Sequence, residues 1–140
     1  MVDSRSCTTW SAVTDQGIAW VPTVWTMMKN LAPVLPLPGV GAYVQGKVQQ
    51  MAANLRLATE LGVPLLLGTD EVPHGAPYLE ATTLYDFGLS GAQVLRAAST
   101  TARQYLKLPL PAAAPASFVL YGDDPRQTPA TLANPSAVIC

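Results

Sequence analysis

Asp70 and His74 are the two residues whose types and spacing suit chemistry. A carboxylate can ligate a metal or take a proton from an attacking water. An imidazole four residues on can shape a substrate pocket or, when neutral, bind a metal. Asp70 ends the stretch Gly62-Val63-Pro64-Leu65-Leu66-Leu67-Gly68-Thr69-Asp70, and His74 lies in the Glu71-Val72-Pro73-His74-Gly75 behind it. The apolar run 63–67 is too short for a helix and is bounded by glycines, as expected of a strand buried on both faces in a parallel sheet. Pro64 stands at its start, where a missing backbone donor is tolerated. In α/β folds, and above all in parallel barrels, catalytic groups gather at the carboxyl ends of the strands. The plainer alternatives are that Asp70 caps the following turn and that His74, in a Pro-His-Gly loop, is a surface histidine. Glu71 and Glu80 read as solvated, and Asp123 and Asp124 as turn residues rather than a dyad.

The elements that must position this pair are legible as periodicity and punctuation. Residues 18–24 are β-branched and aromatic, a second strand with Pro22 near its end. Residues 43–61 carry Val44, Val48, Met51, Leu55, Ala58 and Leu61 at three- and four-residue steps, the stripe of an amphipathic helix ended by Gly62. Strand, connecting helix and the strand ending at Asp70 make one βαβ unit, which predicts a parallel pair. Short helical segments are expected over 9–14 and 25–30. Residues 32–41, with three prolines and two glycines, read as a long loop. Helices follow over 77–87, with Pro77 in the first turn, and over 90–98, where Ser90 and Gln93 form a capping box and Leu89 and Val94 a hydrophobic staple. A further turn reaches Leu106. Residues 108–115 are a Pro/Ala-rich linker, 117–121 a strand, 122–125 a turn, 131–135 a loop, and 137–140 the start of another strand.

With 140 residues the chain is one domain or a piece of a larger one. Hydrophobic residues make up 49%, enough for a core. Charged residues make up only 12%, about half the usual share, so some apolar surface is expected to be covered by another body. A formal net charge of −1, with scattered Lys and Arg, gives no field for nucleic acid or an anionic membrane. No apolar run approaches the length of a membrane span, and the N-terminus lacks the apolar core of a signal peptide. Cys7 and Cys140 read as reduced thiols, and the expected compartment is the cytoplasm.

Several segments together resemble one family. Residues 68–70 (Gly-Thr-Asp) ending a strand, residues 88–102, and Ala116-Ser117-Phe118-Val119-Leu120-Tyr121-Gly122-Asp123-Asp124-Pro125-Arg126 look like the C-terminal part of a metal-dependent amidohydrolase, in the imidazolonepropionase- and prolidase-like branch of that superfamily. The resemblance runs from about Gly17 onward. It implies an α/β fold: the last two βα units of a (β/α)8 TIM-type barrel over residues 1–107, then, over 108–140, a linker and one or two strands of an accessory β-sandwich. Residues 18–25 resemble the seventh barrel strand, and 63–70 the eighth.

The same resemblance implies hydrolysis of a carbon–nitrogen bond in a small-molecule amide, cyclic amide or peptide-like substrate. Asp70 matches the eighth-strand aspartate, which ligates metal or takes a proton from metal-bound water. His74 matches a histidine that shapes the substrate pocket. The family's cofactor is a divalent metal, most often zinc. Its His-x-His and fifth-strand histidine have no counterpart and are expected before Met1. Where members read Val-Asp-Ser-x-Glu-His-Gly, this chain has Val2-Asp3-Ser4-Arg5-Ser6-Cys7-Thr8, without the histidine. Asp70 and His74 supply two ligands, with Cys7 an unconventional third, where a catalytic zinc takes three plus a water. The chain is therefore expected to be inactive and to bind zinc weakly by itself. Two alternatives stand beside a C-terminal fragment of the enzyme. One is a non-catalytic remnant or split-barrel subunit that needs an N-terminal partner or forms a homo-oligomer. The other is a small ligand-binding module without metal.

Overall fold

The computed structural model describes residues 4–70, 75–109 and 118–139. Among the described residues six helices run in order: α1 (Ser4–Asp15), α2 (Val24–Leu31), α3 (Gly41–Glu60), α4 (Pro77–Asp86), α5 (Gly91–Ala98) and α6 (Thr100–Tyr105). They are followed by β1 (Phe118–Leu120), a 3₁₀ helix (Pro129–Ala133) and β2 (Ala137–Ile139). None of the described helices is long and apolar enough to cross a membrane. His74, Cys140 and most of the 108–115 linker lie outside the described residues.

Helix boundaries follow local chemistry. Helix α3 ends where Gly62 takes φ 75°, a left-handed turn that a side chain would strain. Helix α5 begins with the expected capping box: the Gln93 backbone N–H donates to Ser90 Oγ at 3.3 Å, and the Ser90 backbone N–H donates to Gln93 Oε1 at 2.7 Å. Leu89 and Val94, on either side of the cap, are both buried.

The two predicted strands are reduced to a single point of pairing. Trp20 and Leu65 form one parallel bridge, in which the Trp20 N–H donates to the Pro64 carbonyl at 2.9 Å and the Leu66 N–H to the Trp20 carbonyl at 3.0 Å. The direction is the one the connecting helix predicts. The length is not: Pro22 has no N–H for a ladder, and Val24 already opens α2.

The core joins these pieces. Val24, Leu55, Leu65, Ala81, Leu84, Leu89, Val94 and Ala97 form one buried cluster, with Trp20, Met51 and Leu132 packed against it. On α3, the buried positions Val44, Leu55 and Ala58 come from the predicted stripe, while Met51 is half-buried. Trp10 of α1 stacks on Trp20 with ring centroids 4.7 Å apart.

The tail is more ordered than the expected loop. Residues 129–133 form the 3₁₀ helix, in which Pro129 fits the first turn, and this helix packs on α4. Strands β1 and β2 pair antiparallel, with Val119 opposite Val138, and all six of their residues are exposed. Asp124 is a turn residue as expected. Its carboxylate accepts from the Arg126 backbone N–H and pairs with the Arg126 guanidinium at 2.7 Å, which holds the carboxyl below its ordinary range.

The tail turn meets α5 at Gly91, where a Cβ would collide with the Arg126 backbone. Gly91→Ala should therefore destabilise the protein by about 1–3 kcal/mol through overpacking. Urea unfolding measures this, and the tail should become more protease-sensitive in the same variant. An unchanged midpoint would show that the tail does not seat on α5.

Candidate functional site

The carboxyl ends of the two paired segments lie side by side. A Cβ on Gly68 would stand 2.6 Å from Val21 Cγ1, so a side chain there would have to displace the exposed side chain of Val21. Just beyond, the Thr26 hydroxyl of α2 donates to the Thr69 carbonyl. That bond ties the start of α2 to the residue before Asp70. Asp70 itself is exposed and takes a left-handed backbone, φ 47°. That conformation is uncommon for residues other than glycine but less so for Asp and Asn. Its carboxylate makes no hydrogen bond or ion pair with the described residues, so it faces solvent at the rim of the strand ends.

The expectation that Glu80 is solvated is overturned. Its side chain on α4 is fully buried. Oε1 accepts from the Val24 N–H at 2.8 Å, and Oε2 accepts from the Trp25 N–H at 2.6 Å. The physical reason lies in how α2 starts. Thr23 occupies the N-cap position, but its left-handed backbone, φ 45°, leaves its side chain making no capping bond. The first N–H groups of a helix need acceptors, and a carboxylate from another helix supplies them, favoured also by the helix dipole. Burial pushes the Glu80 carboxyl above its ordinary value of 4.5, against the two N–H bonds that pull it down.

A signal for this role was present in the sequence. Glu80 lies on the same helical face as Ala81 and Leu84, the buried face of α4, where a carboxylate needs a partner. The partners themselves are backbone N–H groups more than fifty positions away, and these have no side-chain signature.

Of the sequence-predicted pair, the structure describes only Asp70. Among the described residues, no three His, Cys, Asp or Glu side chains are grouped to hold a metal. A catalytic zinc takes three protein ligands and a water, so the described residues do not fit a zinc by themselves. Glu80, closed off by α2, is a structural acid rather than a ligand. In a calorimetric zinc titration of the isolated chain near neutral pH, we expect no stoichiometric site of sub-micromolar affinity. A tight site that needs Asp70 and survives Cys7→Ala would contradict this.

No family model and no solved structure matches the chain. Among curated proteins it is similar to uncharacterized proteins of Mycobacterium tuberculosis and Mycobacterium bovis. Each is 32% identical over an alignment of 140 residues that takes in 89% of this chain and 36% of the relative. The chain thus spans little more than a third of the length of the curated relatives it matches.

Proposed function

We propose that this chain supplies the last two βα units of an amidohydrolase-type barrel and the first strands of its accessory sheet. The whole assembly would hydrolyse a carbon–nitrogen bond in an amide, cyclic amide or peptide-like substrate. The observation that carries the reading is the parallel Trp20–Leu65 bridge with Asp70 just past its carboxyl end, where barrel enzymes keep their reacting groups. An exposed carboxylate at that rim can take the proton of an attacking water and return it to the leaving nitrogen. His74, on the loop that follows, contributes to the substrate pocket in this reading.

The divalent metal of such enzymes needs ligands beyond those described here, so the assembly includes residues from outside this set. The exposed apolar side chains of Phe118, Val119, Leu120, Val138 and Ile139 support the same view. Exposed apolar strands are normally covered.

The test is to co-express the chain with a polypeptide that carries the first six barrel strands and the His-x-His pair of an amidohydrolase. The purified assembly is then assayed against N-acyl amino acids, cyclic amides and dipeptides. Hydrolysis that needs both polypeptides is the expected result. Co-purification without hydrolysis of any of the three classes would favour a non-catalytic role.

A further inference from the structure

Asp70 is held in a backbone conformation that an aspartate seldom takes unaided, φ 47°. A residue stays in such a conformation when its surroundings over-determine it. Its own side chain does not do so, since it makes no hydrogen bond with the described residues. The restraint comes from the peptide before it. The 69–70 peptide is planar, and it turns over only if ψ of Thr69 and φ of Asp70 change together. A hydrogen bond to its carbonyl oxygen therefore restrains both angles, and the Thr26 hydroxyl makes that bond.

The bond is not the ordinary one for a threonine in a helix. Thr59, Thr82 and Thr83 each turn the hydroxyl back to the carbonyl four residues earlier in their own helix. Thr26 is the third residue of α2, so the carbonyl four residues before it belongs to Pro22, outside the helix. Its hydroxyl reaches instead across 43 positions of sequence. The first turn that carries it is itself anchored, because Glu80 accepts from the N–H groups of Val24 at 2.8 Å and Trp25 at 2.6 Å. A carboxylate on α4 thus fixes the start of α2, and α2 fixes the peptide that leads into Asp70.

We propose that Thr26 is a positioning residue for Asp70: its hydroxyl locks the 69–70 peptide, and with it the left-handed backbone that sets where the Asp70 carboxylate stands on the rim. Without the bond the peptide is free to turn over, and Asp70 relaxes to the negative φ that an L-residue prefers. That change swings the Cα–Cβ bond and takes the carboxylate from its place. The lock holds whatever the assembly catalyses. Its consequence for turnover rests on the reading of Asp70 as the group that takes the proton of the attacking water.

The test uses the full chain, ¹⁵N-labelled, as wild type, Thr26→Val and Thr26→Ser. Valine keeps the branched shape of threonine without the hydroxyl, and serine keeps the hydroxyl without the methyl. A residue with positive φ gives a strong nuclear Overhauser cross-peak between its own amide and α protons, which reports the Asp70 backbone directly. That cross-peak should be strong in the wild type and in Thr26→Ser. In Thr26→Val it should fall to the level of residues with negative φ. Amide exchange at Val24 and Trp25 should be unchanged in all three, since Glu80 still holds them. In the two-polypeptide assembly, Thr26→Val should lower kcat by about 10–100-fold with KM little changed, and Thr26→Ser should restore it. A strong Asp70 cross-peak in Thr26→Val would overturn the proposal, as would its loss in Thr26→Ser. So would faster exchange at Val24 and Trp25 in Thr26→Val, which would mean that α2 as a whole had loosened. A lost cross-peak with kcat unchanged would support the lock and count against Asp70 as the base.

Discussion

Replacing Glu80 by alanine should lower the free energy of unfolding by about 3–5 kcal/mol, a large share of what an ordinary domain has. The magnitude comes from two sources. Truncation removes the acceptors of the buried Val24 N–H and the half-buried Trp25 N–H at once, and an orphaned buried donor costs about 1–3 kcal/mol. It also leaves a void beside Ala81 and Leu84, on the buried face of α4. Glu80→Gln keeps the volume and one acceptor, and should cost about 1–2 kcal/mol.

The two variants also predict a pH dependence. The folded-state pKa of Glu80 lies above its unfolded value because burial outweighs the N–H bonds. Its contribution relative to Gln is therefore fully present below the unfolded value and is lost as pH rises through the folded one. Urea unfolding of the wild type and Glu80→Gln between acid and neutral pH should show the gap narrowing as pH rises. A gap that widens with pH would mean that the N–H bonds, not burial, dominate the carboxyl.

What the sequence disclosed, and what it withheld, follows from the range of the interactions involved. Helix α5 was readable to its first residue, because Ser90 and Gln93 carry its N-terminal bonds within a single turn. The parallel sense of residues 20 and 65 was readable too, since a helix of twenty residues between two short apolar runs leaves little other choice. Strand length was not. A central strand of a parallel sheet needs neighbours on both edges, and among the described residues the segment 63–67 finds a pairing partner on one edge alone, at a single residue. The 3₁₀ helix over Pro129–Ala133 was hidden because its reason for being is tertiary: it packs on α4, with Leu132 against the core. Glu80 was misread for the same cause. The uncapped start of α2 and the acid that caps it are far apart in sequence and meet only when α2 packs on α4.

The candidate site divides along the same line. Asp70 was singled out by its place after a buried run, and the structure puts it at the rim of the paired segments with its carboxylate free of described partners. Its left-handed backbone makes one substitution unusually clean. Asn tolerates that conformation as well as Asp does and has nearly the same shape, so Asp70→Asn should leave folding and assembly intact. What it removes is the capacity to take up a proton.

In the two-polypeptide assembly, Asp70→Asn should therefore lower kcat for amide hydrolysis by about 10²–10⁴-fold, the usual worth of a general base, with KM little changed. The measurement that bears most directly on the amidohydrolase reading is kcat for the wild-type and Asp70→Asn assemblies, matched for stoichiometry and metal content. A loss of at least about a hundredfold is expected if Asp70 takes the proton. Equal rates in the two assemblies would contradict that role.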